Sequence, residues 1–303
     1  MKYIKHLLSL LCLLCGTAYG QKTLWNTPMA YLGQTPPGDT PRVFAPGLLA
    51  QKDTIDMDRI SFSPDGKELI YAAQLHWGDP SKSEVRDFRF QDGKWTGPTV
   101  LMRKYYSPYF GLDGKTLYLC MNDRHDTMLN YIWQSNRTPD GGWSQPTIFL
   151  AQRYPIYMLY PTLSGKFYLA STVPNNDGDI CVLRSNGHDT TAESLGPPIN
   201  TAGGEWDFYV APDESYIILS TKEGDVPDCK LQISFHKKDG GWTALVSLGP
   251  LINDGIAHRW APYTSPDGKY LFYSRGETEK VCHIHWVRFD GLLQRLKAST
   301  PGL

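Results

Sequence analysis

No charge of one sign predominates in this chain: 30 Lys and Arg stand against 31 Asp and Glu. That excludes nucleic-acid binding driven by bulk positive charge, because counterion release needs clustered basic residues. Cysteine is scarce, six in 303 residues. Beyond Cys12 and Cys15 near the start of the chain, the other four form no C-x-x-C pair and have no histidine at zinc-finger spacing. A G-x-S-x-G elbow, a Walker loop and a dinucleotide fingerprint are all missing, so those chemistries have no support. Long hydrophobic runs are missing too. The longest, Leu7–Leu14, is too short to span a bilayer as a helix. What is abundant is Gly (28), Pro (22), Tyr (18), Phe (11) and Trp (9). Aromatic strands broken often by Gly and Pro turns describe an all-β protein.

The short apolar run belongs to a leader. Lys2 and Lys5 precede it, and Ala18-Tyr19-Gly20 puts small residues where a signal peptidase reads. Residues 1–20 are expected to be removed before Gln21, leaving 28 basic against 31 acidic residues. A lipoprotein is the alternative, since Cys12 and Cys15 lie in the segment, but each follows Leu and not the small residue of a lipobox. The expected location is the periplasm or the medium. The remaining cysteines, Cys120, Cys181, Cys229 and Cys282, allow three full disulfide pairings. Burial as small apolar residues inside strands is the other reading.

Five segments repeat one pattern. They are Ile60–Tyr71, Ser107–Tyr118, Tyr160–Tyr168, Phe208–Ile218 and Ala261–Tyr273, each built around a turn such as Ser-Pro-Asp-Gly-Lys. The turn residues Asp65, Asp113, Ser164, Asp213 and Asp267 are separated by 48, 51, 49 and 54 residues. Trp95, Trp143 and Trp242 come at steps of 48 and 99 residues, about one and two periods. Asp-Gly supplies the positive φ of a hairpin turn, and the preceding Pro ends the first strand. A third strand comes next, as in Asp179–Leu183, Lys230–Phe235 and His283–Val287, and then a fourth, as in Trp242–Leu248. Four strands in about fifty residues make one propeller blade.

The last repeat stops after its third strand, near Phe289, with only Leu292–Lys297 left for a short helix. Arg42–Leu49 stands where a fourth strand would precede the first repeat, and is expected to complete the last blade from the other end of the chain. The expectation is an all-β, five-bladed propeller of four-stranded antiparallel blades. Residues 21–41 form an N-terminal extension and residues 42–303 the propeller.

The recurring Ser-Pro-Asp-Gly-Lys segments resemble the WD40-like PD40 repeat of exported bacterial propellers of the TolB type, over about residues 40–290. The resemblance implies a β-propeller in a Gram-negative envelope. It carries no activity, because the repeat family is functionally mixed. No counterpart of the N-terminal α/β domain of TolB or of an OmpA-like peptidoglycan-binding tail is expected among these residues.

In a propeller the Asp-Gly hairpins lie on one face. The loops leading into the first strands share the other face with the loops between second and third strands. That leading-loop face is the expected ligand site, with Arg59, Glu205, Trp206, Asp207, His258, Arg259 and Trp260 as binding residues. Aromatic faces beside bidentate Arg suit a sugar or an acidic sugar. The expected partner is a glycan or an envelope protein, bound by a monomer that needs no cofactor.

Two enzymatic alternatives use the same pocket. A glycoside hydrolase needs two acids about 5–9.5 Å apart, for which Asp58, Glu205 and Asp207 are the candidates. A metal-dependent lyase would need converging histidines. His76, His125 and His258 come from separate blades without ligand spacing, so no metal is expected. His283 and His285 alternate within one strand and are expected to pack or face solvent.

Overall fold

The computed structural model describes residues 23–49, 55–74, 82–121, 130–172, 178–185, 189–201, 205, 207–222, 228–278 and 281–303. Five four-stranded antiparallel sheets are arranged as the blades of a propeller.

A two-residue strand, β1 (Arg42–Val43), precedes the first blade. Blade one contains β2 (Ile55–Phe62), β3 (Glu68–Gln74), β4 (Glu84–Gln91) and β5 (Lys94–Arg103). Blade two contains β6 (Tyr105–Phe110), β7 (Thr116–Met121), β8 (Asn130–Asn136) and β9 (Thr147–Gln152). Blade three contains β10 (Ile156–Pro161), β11 (Phe167–Ser171), β12 (Asp179–Ser185) and β13 (Thr190–Ser194). Blade four contains β14 (Phe208–Val210), β15 (Tyr216–Lys222), β16 (Cys229–Phe235) and β17 (Val246–Ser247). Blade five contains β18 (His258–Thr264), β19 (Tyr270–Thr278) and β20 (Val281–Arg288), with β1 on its outer edge. The helix α1 (Asp290–Ser299) comes last.

The repeated turn explains its own residues. Asp65 Oδ1 accepts hydrogen bonds from Ser63 Oγ at 2.7 Å and Lys67 N at 3.1 Å, while Gly66 takes φ 75°. In blade five Asp267 Oδ1 accepts from Ser265 Oγ at 2.7 Å and Lys269 N at 3.3 Å, with Gly268 at φ 72°. The carboxylate tethers the loop and the glycine supplies the left-handed step. Blade four puts Glu214 at that step, at φ 59°. Its carboxylate accepts from Lys166 Nζ at 2.7 Å, Tyr168 Oη at 2.9 Å, Thr162 Oγ1 at 3.1 Å and Ser164 Oγ, all in blade three. The backbone cost of a non-glycine residue there is offset by four contacts to the neighbouring blade.

The ends of the chain meet. Arg42 pairs with Trp286 and Val43 with His285, and Phe44 N donates to Ile284 O at 2.8 Å. The pairing is shorter than the eight residues expected. Pro46 has no N–H to donate, and Ala45 and Gly47 take φ 44° and 77°, so the chain turns away from the sheet. The expected fourth strand at Trp242–Leu248 is also shorter. Thr243 Oγ1 accepts from Phe235 N at 3.0 Å, and Thr243 O accepts from Ser234 Oγ at 2.6 Å, so side chains replace part of the ladder.

The described part of the extension before β1 is tied to the hairpin face. Trp25 Nε1 donates to Pro64 O at 2.8 Å in blade one, and Tyr31 Oη donates to Asp267 Oδ1 at 2.6 Å in blade five. Trp25, Tyr31 and Phe44 pack with Phe62, Phe272 and Trp286 in one aromatic cluster at the junction of these blades. Trp25 lies close to Gly66, where an added Cβ would come within 3.0 Å of the indole. All four cysteines of the described chain are buried, and none stands in a disulfide. Among the described residues no helix is long and apolar enough to cross a membrane.

Candidate functional site

The first strands carry the site. Four of them break register near the leading loops, between Asp56 and Ile60, Tyr106 and Tyr109, Tyr157 and Tyr160, and Trp260 and Tyr263. Ser107, Met158 and Ala261 adopt positive φ within these breaks. A bulge of this kind bends a strand and re-aims the side chains beyond it.

In blades two, three and five the pairing resumes at a tyrosine, and blade four supplies its own at the matching position. Tyr109, Tyr160, Tyr209 and Tyr263 each lie four residues before the turn residue of their blade. Their rings form a closed circuit, with centroid distances of 4.8, 5.6, 5.9 and 6.2 Å in the order 109–160, 160–209, 209–263 and 263–109. All four are buried. Burial pushes the phenols of Tyr109, Tyr209 and Tyr263 up from their ordinary value, with the Arg59 charge acting the other way on Tyr109. Tyr160 Oη donates to Phe208 O, and Tyr263 Oη accepts from Phe62 N at 3.0 Å. In blade one the matching residue is Ser61, whose Oγ accepts from Phe110 N at 3.0 Å. The circuit fills the axis toward the hairpin face. Sequence reasoning missed it, although the fixed offset from the turn was available.

Arg59, two residues before Ser61, is 0% exposed. Its guanidinium lies over the Tyr160 ring at 4.2 Å from the centroid and 5.7 Å from that of Tyr109. Nε, Nη1 and Nη2 are buried with no hydrogen-bond partner among the described residues.

Arg259 is equally buried and its donors are engaged. Nε donates to Ile252 O at 2.9 Å. Nη1 reaches Cys229 O and Ala257 O at 3.1 Å and Asp228 Oδ1 at 3.3 Å, and Nη2 reaches Asp254. It ties the crossing from blade four to blade five. Trp260 is 5% exposed and packs with Ala261 and Cys282. The ring of His258 lies 4.8 Å from that of Trp260, and its Nδ1 lies 3.0 Å from Cys229 Sγ. Burial pushes His258 down and Cys229 up, so the pair rests uncharged.

Glu205 is buried beside Thr201, whose N–H donates to both carboxylate oxygens at 3.0 and 3.1 Å and whose hydroxyl donates to one. Burial raises its pKa and the Thr201 hydrogen bonds oppose the rise. Asp207 Oδ1 accepts from Ala261 N at 3.4 Å, joining blades four and five. The structure therefore gathers Asp207, His258, Arg259 and Trp260 at one seam and puts Arg59 at the axis. Trp206, His76, His125 and the side chain of Asp58 lie outside the described residues. His285 packs against Tyr273, its ring 5.8 Å away. Among the described residues no group of three His, Cys, Asp or Glu side chains is placed to hold a metal ion.

A cavity of about 380 Å³ opens on the opposite, hairpin face, between blades one and two. Glu68 sits in its lining, accepting from Arg137 Nη2 at 2.6 Å and Trp143 Nε1 at 3.1 Å. Ion pairs lace its walls, and no signal in the sequence pattern singled them out.

No protein-family model matches the chain, and no curated protein matches it. Solved structures similar to it are TolB-like propellers and others. TolB from Acinetobacter baumannii is 14% identical with a TM-score of 0.48, over 76% of this chain and 54% of that one. A putative TolB from Agrobacterium tumefaciens is 14% identical with a TM-score of 0.46, over 78% of each chain. The periplasmic gluconolactonase PpgL from Pseudomonas aeruginosa is 14% identical with a TM-score of 0.43, over 72% of this chain and 64% of that one. The chain thus spans about half the length of the Acinetobacter protein. The neighbours differ in function, and no activity passes from them to this chain.

Proposed function

We propose that the chain is an exported propeller, periplasmic or secreted, that binds a glycan or a partner protein on its leading-loop face. The observation that carries this reading is the tyrosine circuit. It fills the axis toward the hairpin face, and the extension packs over the hairpin ends of blades one and five. An axial ligand is therefore met from the leading-loop side, where aromatic and Arg side chains supply recognition. Arg59, Glu205, Trp206, Asp207 and His258 are the residues proposed for that side, while Arg259 and Trp260 pack into the seam of blades four and five. The protein acts as a monomer and without a cofactor.

A glycan-cleaving enzyme using the same pocket is the second reading. It is favoured by the raised pKa of Glu205, as a general acid requires. Against it, that carboxylate is buried and both its oxygens are bound by Thr201. Glycan-array binding paired with a reducing-sugar assay separates the two. Binding without new reducing ends is expected; release of reducing ends would make it an enzyme.

A further inference from the structure

We propose that Arg59 anchors a carboxylate drawn into the propeller axis from the leading-loop side. The proposal rests on the binding role above for the origin of the ligand, and on Arg59 itself for the site.

A guanidinium stays charged at every accessible pH and carries five N–H donors in a planar fork. Arg259 shows how this fold treats such a group when it is structural: it is fully buried, and backbone carbonyls, Asp228 and Asp254 take up its donors. Arg59 is as deeply buried, yet all three of its nitrogens lack an acceptor among the described residues. Tyr160 covers one face of the guanidinium. That contact is attractive, but a ring face satisfies none of the in-plane donors. The nearby phenols do not supply the acceptor either. Tyr160 Oη is turned to Phe208 O, and Tyr263 Oη to Phe62 N.

A buried charge left in this state is strongly disfavoured, so its counterpart is a group that the described residues do not provide. The geometry selects the class. The donor edges of the fork match two coplanar oxygens, as in a carboxylate. One negative charge neutralises the site, whereas a doubly charged phosphate would leave an excess. Arg59 precedes Ser61 on β2, so it stands on the leading-loop side of the tyrosine level, and the circuit fills the other. Ser61 also stands at the position where the other four blades put a phenol.

The test uses the mature chain, titrated with sodium acetate against sodium chloride at equal ionic strength. Acetate is expected to raise the melting temperature saturably, by roughly 5–10 °C at about a hundred times its Kd. Arg59→Met is expected to abolish that rise. Arg59→Lys retains the charge without the fork and is expected to weaken acetate binding at least tenfold by calorimetry, even where Arg59→Met fails to fold. Glucuronate tighter than acetate would assign the carboxylate to a sugar acid; equal binding would assign it to a free or peptide carboxylate. No saturable response in the wild type, or equal acetate affinity in Arg59→Lys, overturns the proposal. Acetate binding with no glycan or partner binding would sink only the role proposed above. Ligand binding unaffected by Arg59→Lys would sink only the carboxylate.

Discussion

Nδ1 of His258 lies 3.0 Å from the sulfur of Cys229, across the seam of blades four and five. Burial holds the imidazole below its ordinary 6.5, and it does the same to His285. For both, the unfolded chain takes up protons before the folded chain does. Stability is therefore complete above about pH 6.5 and falls as the pH drops below it. The melting temperature is expected to decline from pH 7 to pH 5, and His258→Gln should flatten the decline. An unchanged slope in that variant would show that His258 titrates as an exposed group.

Glu214 gives a second pH dependence, at lower pH and from a carboxylate. Burial raises its pKa, but hydrogen bonds from Lys166, Ser164, Tyr168 and Thr162 outweigh burial and hold it at about 2. Its unfolded pKa is the higher one, so the stabilisation is present above about pH 4.5 and is lost as the pH falls toward 2. The linkage is worth about 3 kcal/mol. Glu214→Gln is expected to cost about 1–3 kcal/mol in urea unfolding at pH 7 and much less at pH 2. An equal cost at both would mean that the lost contacts are not ionic.

Trp260→Ala separates packing from recognition. The indole is buried against Ala261 and Cys282, so truncation is expected to cost about 3–5 kcal/mol of stability. Ligand affinity of the folded fraction should then be unchanged. A stable variant that has lost about 2 kcal/mol of binding would make Trp260 a recognition residue.

The extension and β1 cover sheet edges and the aromatic junction of blades one and five. Removing residues 21–50 is expected to cause unfolding or aggregation. A soluble truncated chain with unchanged melting would show that the pairing of Arg42 with Trp286 seals nothing.

Export is checked by N-terminal mass mapping of protein from a fractionated Gram-negative host. The mature chain is expected to begin at Gln21, in the periplasm or medium. A diacylglyceryl Cys15 would replace this with a lipoprotein.

Much of the architecture was legible because the repeat is carried by local chemistry. Asp65 and Asp267 make the same two turn contacts, so one motif at one period defined the blade. Strand lengths were less legible where side chains compete with the ladder, as at Thr243, or where Pro46 removes a donor. The site was the hardest to read. Arg59 and Arg259 look alike in sequence, and only the tertiary surroundings fill the donors of one and leave the other without an acceptor among the described residues. Trp260 has the composition of a recognition residue and the burial of a core residue. The bulges explain why: each shifts the side chains beyond it from where simple alternation would put them.

The meeting of the two chain ends sets an order of assembly. Tyr31 bonds to Asp267 across 236 residues of sequence, and Arg42 finds Trp286 only after the last blade exists. During synthesis the early residues wait for partners made last, while four blades accumulate as an open arc with free edges. Closing so large a loop costs about 5 kcal/mol in chain entropy. The arc therefore stays open until the aromatic junction can form at once, and a chain held unfolded until it is complete avoids the arc altogether.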